Sequence, residues 1–258
     1  MESIITIKEL NFSYSPGKQV LKNIDLNIKK GETFGIIGPT GAGKSTLLLH
    51  LNGLLTGEGE VRVDNIPVTK KTGPEVREKV GMVFQNPDNQ LFCPTVFEDI
   101  AFGLYNSGFK KEEVKTRVEK MLKKLQLTEL KNLSSHHVSF GEKKRISLAS
   151  VLVMEPRVLC FDEPFANLDY SSIFNIIKEI KRLDMTRIIV SQDILLVLSI
   201  CDRVAVMNKG EVIRTAPAEI IARERTLLKE TGLDYQPYLD IINKGCGGPP
   251  RGQGISHL

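Results

Sequence analysis

The chain has 258 residues and a net charge of +4, with 41% hydrophobic and 26% charged residues. This length suits one large domain, or one domain with an insertion, and the composition argues against collagenous, disordered and membrane-spanning classes. The longest apolar stretches, such as Ile194–Ile200, fall well short of the roughly 20 residues that cross a bilayer. The N-terminus has no signal-peptide pattern and the four cysteines are scattered, so we expect a protein of the reducing cytoplasm.

Short strand-like segments alternate with amphipathic helical ones, which predicts an α/β fold with a largely parallel sheet covered by helices. The opening segments partly alternate apolar and polar residues, which favours a half-exposed antiparallel β subdomain. These segments are Ile4–Leu10, Val20–Ile28 and Glu60–Val63. Five further segments, short and rich in β-branched residues or Phe, are candidate buried strands. They are Thr33–Ile37, Val80–Phe84, Val158–Phe161, Arg187–Val190 and Arg203–Met207.

Between the second and third of these core strands the chain has a helical pattern. Its apolar residues at helical spacing are Val114, Val118, Met121, Leu122 and Leu125, which form one face for packing. We therefore expect a helical subdomain at about residues 88–155, inserted in a domain that spans residues 3–243. The glycine- and proline-rich segment 244–258 is expected to be a disordered tail.

A phosphate-binding loop follows the first core strand, where GPTGAGKST matches the pattern GxxxxGK[ST]. Its residues are Gly38, Pro39, Thr40, Gly41, Ala42, Gly43, Lys44, Ser45 and Thr46. The glycines allow backbone N–H groups to turn inward, and the start of the helical segment Ser45–Asn52 adds positive potential, so the loop should bind a polyphosphate. We expect Lys44 to reach the terminal phosphates and Ser45 to ligate Mg²⁺.

A second motif lies at the end of the third core strand, where an apolar run closes with Asp162 and Glu163. Strand-end carboxylates alone are as consistent with surface charge as with chemistry. Together with a complete phosphate-binding loop they predict a nucleoside triphosphatase. Asp162 would hold Mg²⁺ and Glu163 would polarise the attacking water.

The segment VSFGEKKR ahead of the Asp162 strand opens a helical run, Ile146–Met154. It resembles the LSGGQ signature of the ABC transporter ATPases, with Ser139 and Gly141 retained and Glu142 following. The resemblance covers roughly residues 3–225 and implies a P-loop (RecA-like) core. In that family two ATPase domains dimerise head to tail, and each signature caps the γ-phosphate of the ATP held by the other domain.

Three more positions match the family. Tyr14 resembles the aromatic residue that stacks on adenine, although an isolated Tyr is also consistent with ordinary packing. Gln85 resembles the Q-loop glutamine, which touches the metal and the water. Asp169, at the end of Ala166-Asn-Leu-Asp169, resembles the D-loop that crosses the dimer interface. A single phosphate-binding loop per chain implies a homodimer, or a heterodimer with a second ABC ATPase.

One position departs from the family. Where the family has a switch histidine after the fourth core strand, this chain has Gln192. Glutamine can donate and accept hydrogen bonds but cannot become charged. The residue is consistent with a weak catalytic site, with an asymmetric heterodimer, or with an introduced substitution that slows hydrolysis. It bears on turnover and leaves nucleotide binding unaffected.

The stretch FQNPDNQLF and the following TVFEDIAFG resemble the ATPases of energy-coupling-factor importers, including the cobalt- and nickel-uptake (CbiO-like) members. This resemblance implies an ATP- and Mg²⁺-dependent subunit on the cytoplasmic face of the cell membrane. It would work with transmembrane transporter subunits, without nucleic acid, to take up cobalt, nickel or a vitamin. Asp88, Glu98 and Asp99 are either acidic contacts to basic coupling helices or a solvated patch. The alternatives are a soluble ABC ATPase of the iron–sulfur assembly type and a regulatory subunit in which Gln192 prevents hydrolysis.

Overall fold

The computed structural model describes residues 2–235, which form two sheets and the helices around them. Its strands, in chain order, are β1 (Ser3–Ser13), β2 (Gln19–Lys29), β3 (Thr33–Ile37), β4 (Glu58–Val63), β5 (Ile66–Pro67), β6 (Val80–Val83), β7 (Val158–Asp162), β8 (Thr186–Val190), β9 (Arg203–Asn208) and β10 (Glu211–Pro217). Its helices are α1 (Lys44–Leu51), α2 (Gly73–Lys79), α3 (Val96–Asn106), α4 (Lys111–Lys124), α5 (Phe140–Leu152), α6 (Tyr170–Lys181), α7 (Ile194–Ile200), α8 (Ala218–Ile221) and α9 (Arg225–Glu230).

The larger sheet has the order β10-β9-β3-β8-β7-β6. From β9 to β6 every neighbouring pair is parallel, and β10 is added antiparallel at the edge. β3 is buried along its whole length, as expected for a central strand with both faces covered. Because parallel strands all end at the same edge, the residues that follow β3, β6, β7 and β8 meet there.

The smaller sheet has the order β2-β1-β4-β5 and is antiparallel throughout. Its inner face packs on the larger sheet, and α1 contributes Leu47, Leu48 and Leu51 to the same apolar core. The predicted antiparallel subdomain and the predicted parallel core are thus confirmed. Helix α1 starts at the edge where the parallel strands end and runs into this core.

The insertion between β6 and β7 consists of α3, α4 and α5, joined by loops and short 3₁₀ turns. The face predicted from spacing packs as expected: Val114, Val118, Leu122 and Leu125 are buried, while Met121 is partly buried against the same core. Within residues 2–235, none of the helices is both long and apolar enough to cross a membrane.

The structure corrects one predicted helix start and adds one strand. The helix after VSFGEKKR begins at Phe140, six residues before the predicted Ile146. The strand β10 was not predicted; it pairs with β9 through a tight turn in which Lys209 and Gly210 both have positive φ, a turn type that matches the strand twist. Residues 236–243 of the expected domain and the expected tail at 244–258 lie outside the described residues.

Candidate active site

The loop between β3 and α1 has a backbone that requires glycine. Gly43 has φ 98° and is the N-cap of α1, a left-handed conformation that side chains with a Cβ rarely adopt. At Gly38, an added Cβ would lie 2.3 Å from the carbonyl oxygen of Met207. The sequence therefore folds here into a turn that carries backbone N–H groups around the start of α1, the geometry of an anion site.

Lys44 lies inside this turn and is only 6% exposed. Its Nζ donates to the carbonyl oxygens of Gly38 at 2.7 Å and Pro39 at 3.0 Å. Burial lowers the pKa of Lys44, and the charges of Glu163 and Asp162 partly oppose this shift. A buried ammonium group held by backbone carbonyl oxygens next to a helix N-terminus favours a highly charged anion at this point.

Asp162 and Ser45 meet across the site. Ser45, at the start of α1, donates from Oγ to Oδ1 of Asp162, the last residue of β7, at 3.0 Å. Burial raises the pKa of Asp162, while the bond from Ser45 and the charges of Lys44 and Lys144 lower it. A hydroxyl and a carboxylate are hard oxygen ligands, so this pair fits Mg²⁺, which needs few protein ligands when phosphates supply the others.

Glu163 follows β7 in a left-handed conformation with φ 48°, uncommon for a residue with a side chain. Its Oε2 accepts bonds from Ser191 Oγ at 2.9 Å and from the backbone N–H of Gln192 at 3.1 Å. The side chain is 9% exposed. The carboxylate is therefore held in one orientation beside the phosphate-binding loop.

Gln192 reaches the same place from the end of β8. Thr40, within the phosphate-binding loop, donates from Oγ1 to Oε1 of Gln192 at 3.4 Å. The glutamine thus spans Glu163 through its backbone and the loop through its side chain. Gln85 lies two residues beyond β6 with an exposed side chain, and its backbone carbonyl accepts a bond from Lys144 at 2.7 Å.

Tyr14 lies beside the loop and is 60% exposed. Its hydroxyl is 3.2 Å from Oγ1 of Thr46, the last residue of the loop. Phe12 packs edge-on against the ring, with centroids 4.9 Å apart. An open aromatic face fixed beside a phosphate-binding loop can stack on a base.

Ser139 is the N-cap of α5 and forms a reciprocal capping box with Glu142. The backbone N–H of Ser139 donates to Glu142 Oε2 at 2.8 Å, and Glu142 N–H donates back to Ser139 Oγ at 3.3 Å. Hydrogen bonds from the side chain and backbone of Ser139 lower the pKa of Glu142. The pattern Ser-x-x-Glu was visible in the sequence and accounts for the early start of α5.

Asp169 is the N-cap of α6 and is fully hydrogen-bonded by the following turn. The backbone N–H of Ser172 at 2.9 Å and the hydroxyls of Ser171 and Ser172 lower the pKa of Asp169 to about 2. A Cβ added at Gly141 would lie 3.1 Å from Ser172 Oγ, so the starts of α5 and α6 touch. In residues 2–235, no hydrogen bond joins these residues to the phosphate-binding loop. The site residues therefore fall into two groups.

Sequence reasoning missed two residues of the first group. Ser191 holds the Glu163 carboxylate, and Lys144 donates to the carbonyl oxygens of Gln85 and of Glu163. Burial lowers the pKa of Lys144 to about 8, against the opposing charges of Asp162 and Glu163. A lone Ser and one lysine within a basic run carry no signal of their own, because only the packing of α5 and β8 brings them to the carboxylate.

The three acidic residues considered for partner contacts have partners within the chain. Asp99 is 5% exposed and accepts bonds from the backbone N–H groups of Phe92 and Cys93, both at 2.8 Å. The expectation of an acidic contact at Asp99 was therefore wrong, because the carboxylate closes its own loop. Asp88 pairs with Lys143 at 2.7 Å, and Glu98 accepts from Thr95 at 2.8 Å, both in exposed positions.

Comparison with known proteins agrees with this geometry. The family profile described as ABC transporter matches residues 21–166. The energy-coupling factor transporter ATP-binding protein EcfA of Methanothermobacter thermautotrophicus is 40% identical over 247 residues, covering 93% of this chain and 79% of that protein. EcfA of Methanocaldococcus jannaschii is 44% identical over 233 residues, covering 88% and 84%.

Solved structures show the same fold. CbiO1 of Clostridium perfringens, described as part of the ABC transporter complex cbiONQ, matches with TM-score 0.80 and 39% identity over 94% of this chain and 100% of that one. The ATP-binding cassette MJ0796, described as dimeric in a post-hydrolysis state with ADP and Pi, matches with TM-score 0.75 and 30% identity over 83% and 98%.

The phosphate-binding loop, the carboxylates at the end of β7 and the surrounding fold are those of a P-loop ATPase. The chain belongs to the ABC transporter family, as an ATP-binding subunit of the energy-coupling-factor type.

Proposed function

We propose that two ATPase subunits, this chain twice or this chain with a close relative, close head to tail around two Mg-ATP and drive a membrane importer. The observation that carries the proposal is the convergence of Lys44, Ser45, Asp162 and Glu163 at one edge of the parallel sheet. Lys44 can bind a terminal phosphate, and Ser45 and Asp162 can hold Mg²⁺ beside it, next to the Glu163 carboxylate, which is already oriented.

Each residue has a proposed part in hydrolysis. The loop N–H groups and Lys44 bind the β- and γ-phosphates, and Tyr14 stacks on adenine. Ser45, Asp162 and Gln85 would hold Mg²⁺, which when bound neutralises phosphate charge. Glu163 accepts a hydrogen bond from the attacking water, with its carboxylate oriented by Ser191.

The second group of residues completes the site of the other subunit. Ser139, Gly141 and Glu142 lie at the exposed start of a helix of 13 residues, where backbone N–H groups and the helix dipole favour an anion. In residues 2–235 no hydrogen bond joins this helix start to the phosphate-binding loop of the same chain, so a phosphate bound there would not be the anion that it meets. We infer that these residues face the γ-phosphate of the ATP on the opposing subunit, and that Asp169 crosses the same interface.

A complementation experiment tests the two-chain site. In a Glu163→Gln background, which should slow hydrolysis to a small residual rate, Lys44→Ala subunits and Gly141→Asp subunits should each retain little radiolabelled ATP after rapid gel filtration. An equimolar mixture should retain ATP, because a mixed dimer has one site with an intact loop and an intact signature. Retention no greater than the average of the two separate samples would contradict a site shared between chains.

The membrane partner and the cargo are proposed from the relatives. We infer that the chain docks on the cytoplasmic face of transmembrane subunits and energises uptake of a transition-metal ion, cobalt or nickel, or of a vitamin. Of the acidic candidates, Asp88 and Glu98 remain exposed enough to meet basic helices. Identification of the membrane proteins that co-purify with the tagged chain tests this, since recovery of no transmembrane subunit would favour a soluble ABC ATPase.

A second candidate function rests on Gln192. If the side chain that contacts Thr40 cannot support the transition state, the subunit would bind ATP and regulate a partner without hydrolysing it. Phosphate release from the purified chain at saturating Mg-ATP separates the two, because a regulatory subunit releases no more phosphate than its Glu163→Gln variant.

A further inference from the structure

A buried lysine in the signature helix touches two parts of the active site. Lys144 lies in the second turn of α5 and is 2% exposed. Its Nζ donates to the carbonyl oxygen of Gln85 at 2.7 Å and to that of Glu163 at 3.3 Å. One ammonium group therefore connects the signature helix, the loop after β6 and the backbone of the residue proposed to orient water.

The two carbonyl groups belong to the ends of neighbouring strands. β6 and β7 are parallel, with Val83 opposite Phe161, so the residues that follow them lie side by side at the carboxyl edge of the sheet. Lys144 bridges these two chain segments just beyond the last backbone pairing. A bridge at this point fixes how far the loop after β6 stands from the backbone of Glu163.

The loop after β6 has two other attachments to α5. Lys143 pairs with Asp88 at the surface at 2.7 Å. Gln90 donates from Nε2 to Ser147 O at 2.8 Å and to Ser150 Oγ at 3.0 Å. Each fastens the loop to the helix, but among these three side chains only Lys144 also reaches Glu163.

The backbone of Glu163 needs such support. Its left-handed conformation, φ 48°, costs on the order of 1 kcal/mol or more and persists only where surrounding contacts hold it. Its N–H donates to Val190 O at 2.9 Å, and its carbonyl accepts from Lys144 at 3.3 Å and from the backbone N–H of Ala166 at 3.2 Å. The backbone of Glu163 is thus held by β8 at its N–H, and at its carbonyl by α5 and by the turn that follows.

Burying an ammonium group is unfavourable, and an apolar residue of similar shape would avoid the desolvation. Here the negative charges of Asp162 and Glu163 and two carbonyl groups offset part of it. The neighbouring Lys143 is partly exposed and meets only a surface carboxylate. Unlike Lys143, Lys144 therefore places its positive charge next to the Asp162 and Glu163 carboxylates.

We propose that Lys144 is a positioning residue for hydrolysis. Its ammonium group holds the backbone carbonyl groups of both Gln85 and Glu163 and thereby aligns the Glu163 carboxylate. This alignment lasts only while the loop after β6 stays at its present distance from α5. A displacement of that loop by a docked membrane subunit would then reach both Glu163 and the signature at Ser139. This inference rests on the proposed role of Glu163.

The test uses the full chain with Mg-ATP. Lys144→Met should lower kcat by about 10- to 100-fold, the scale of a small misplacement of a catalytic group, with the affinity for a fluorescent ATP analogue within about twofold of wild type. Lys144→Gln, which keeps a shorter neutral donor, should fall between the two. The matched control Lys143→Met removes a surface ion pair of little energetic weight and should leave kcat and affinity within about twofold.

A double variant separates positioning from general support of the fold. If Lys144 acts through Glu163, Lys144→Met should slow a Glu163→Gln enzyme by no more than about twofold, because residues that act as a unit are not additive. The proposal would be overturned if Lys144→Met slowed the Glu163→Gln enzyme by the same factor as the wild type. It would also be overturned if ATP affinity fell as much as kcat, or if Lys144→Met turned over at the wild-type rate. If Lys144→Met does not fold, the same comparison is made with Lys144→Gln. Wild-type turnover of Glu163→Gln would instead refute the role of Glu163 in the proposed function.

Discussion

The two groups of site residues are built in different ways. At the phosphate-binding loop, Lys44 and Glu163 are almost fully buried, and Ser45 meets Asp162 across 117 positions of sequence. At the signature, Ser139 is exposed and forms a reciprocal cap with Glu142, three residues away. The first group is held by the tertiary fold, and the second by a local helix cap. The chain thus orients the side chains around the phosphate-binding loop by its own tertiary contacts, whereas Ser139 of the signature remains exposed at the start of α5.

The largest expected effect is at the buried group. Lys44→Ala should weaken ATP binding by up to about 5 kcal/mol, at most roughly a few thousandfold at about 1.4 kcal/mol per tenfold, because it removes a buried charge partner of the phosphates. Titration with a fluorescent ATP analogue measures this. Lys143→Ala is the control, and unchanged affinity in Lys44→Ala would show that the nucleotide binds elsewhere.

Gln192 should give the next largest effect, on rate alone. Gln192→His restores a group that can take a charge next to Thr40, and such transition-state contacts are typically worth about 10²–10³ in rate. We expect kcat to rise substantially while ATP affinity stays within a few-fold, because Lys44 and the loop N–H groups carry the binding. Steady-state phosphate release, with and without the membrane partner, checks this. If the histidine variant is no faster in either condition, Gln192 is an adapted residue of a working site.

A smaller effect is expected for Ser139→Ala at the signature, on stability and not on ATP binding. Ser139→Ala removes the N-cap of α5 and should lower stability by about 1 kcal/mol while leaving ATP binding to the single subunit unchanged. Denaturant unfolding and nucleotide titration measure the two quantities. Ser134→Ala, which removes the cap of a short 3₁₀ turn, is the matched control. Loss of ATP binding by the Ser139→Ala monomer would show that the signature residues and the phosphate-binding loop of one chain do not act separately.

The smallest expected effect is on the pH dependence of folding stability, through the buried His50 of α1. His50 is 1% exposed and donates from Nδ1 to Thr46 O at 2.8 Å; burial lowers its pKa below the ordinary 6.5. The unfolded chain therefore takes up a proton below about pH 6.5 that the folded chain resists, so stability falls as pH drops through that range. Urea unfolding at several pH values should show a shallower fall for His50→Leu. An identical fall in both proteins would mean that other groups control it.

Much of the site was predictable because its motifs are local. The phosphate-binding loop needs glycine at position 38, where a Cβ would clash with backbone, and at position 43, where φ is positive. The sequence pattern therefore predicts the backbone conformation of the loop directly. The start of α5 was also readable, since Ser139 and Glu142 form a capping box by spacing alone, yet the predicted helix began six residues late. The family resemblance, confirmed by the comparisons, supplied the energy-coupling-factor assignment.

Other features had no local signal. Asp99 was expected to be an exposed acid, and it closes the loop at Phe92 and Cys93 instead. Ser191 and Lys144 look ordinary in sequence. Their importance depends on which strand ends lie next to each other, a property of the sheet order.

The sequence by itself determined that this chain binds a nucleotide, where the loop is and which carboxylates follow the strand, because each of these depends on a few consecutive residues. Only the tertiary structure decided that Asp162 meets Ser45, that Ser191 holds Glu163, and that the ammonium of Lys144 joins Gln85 to Glu163. Those contacts connect elements that are distant in sequence and adjacent only because β3, β8, β7 and β6 lie parallel with their ends at one edge. Strand adjacency is set by the packing of the whole domain, which no short segment encodes.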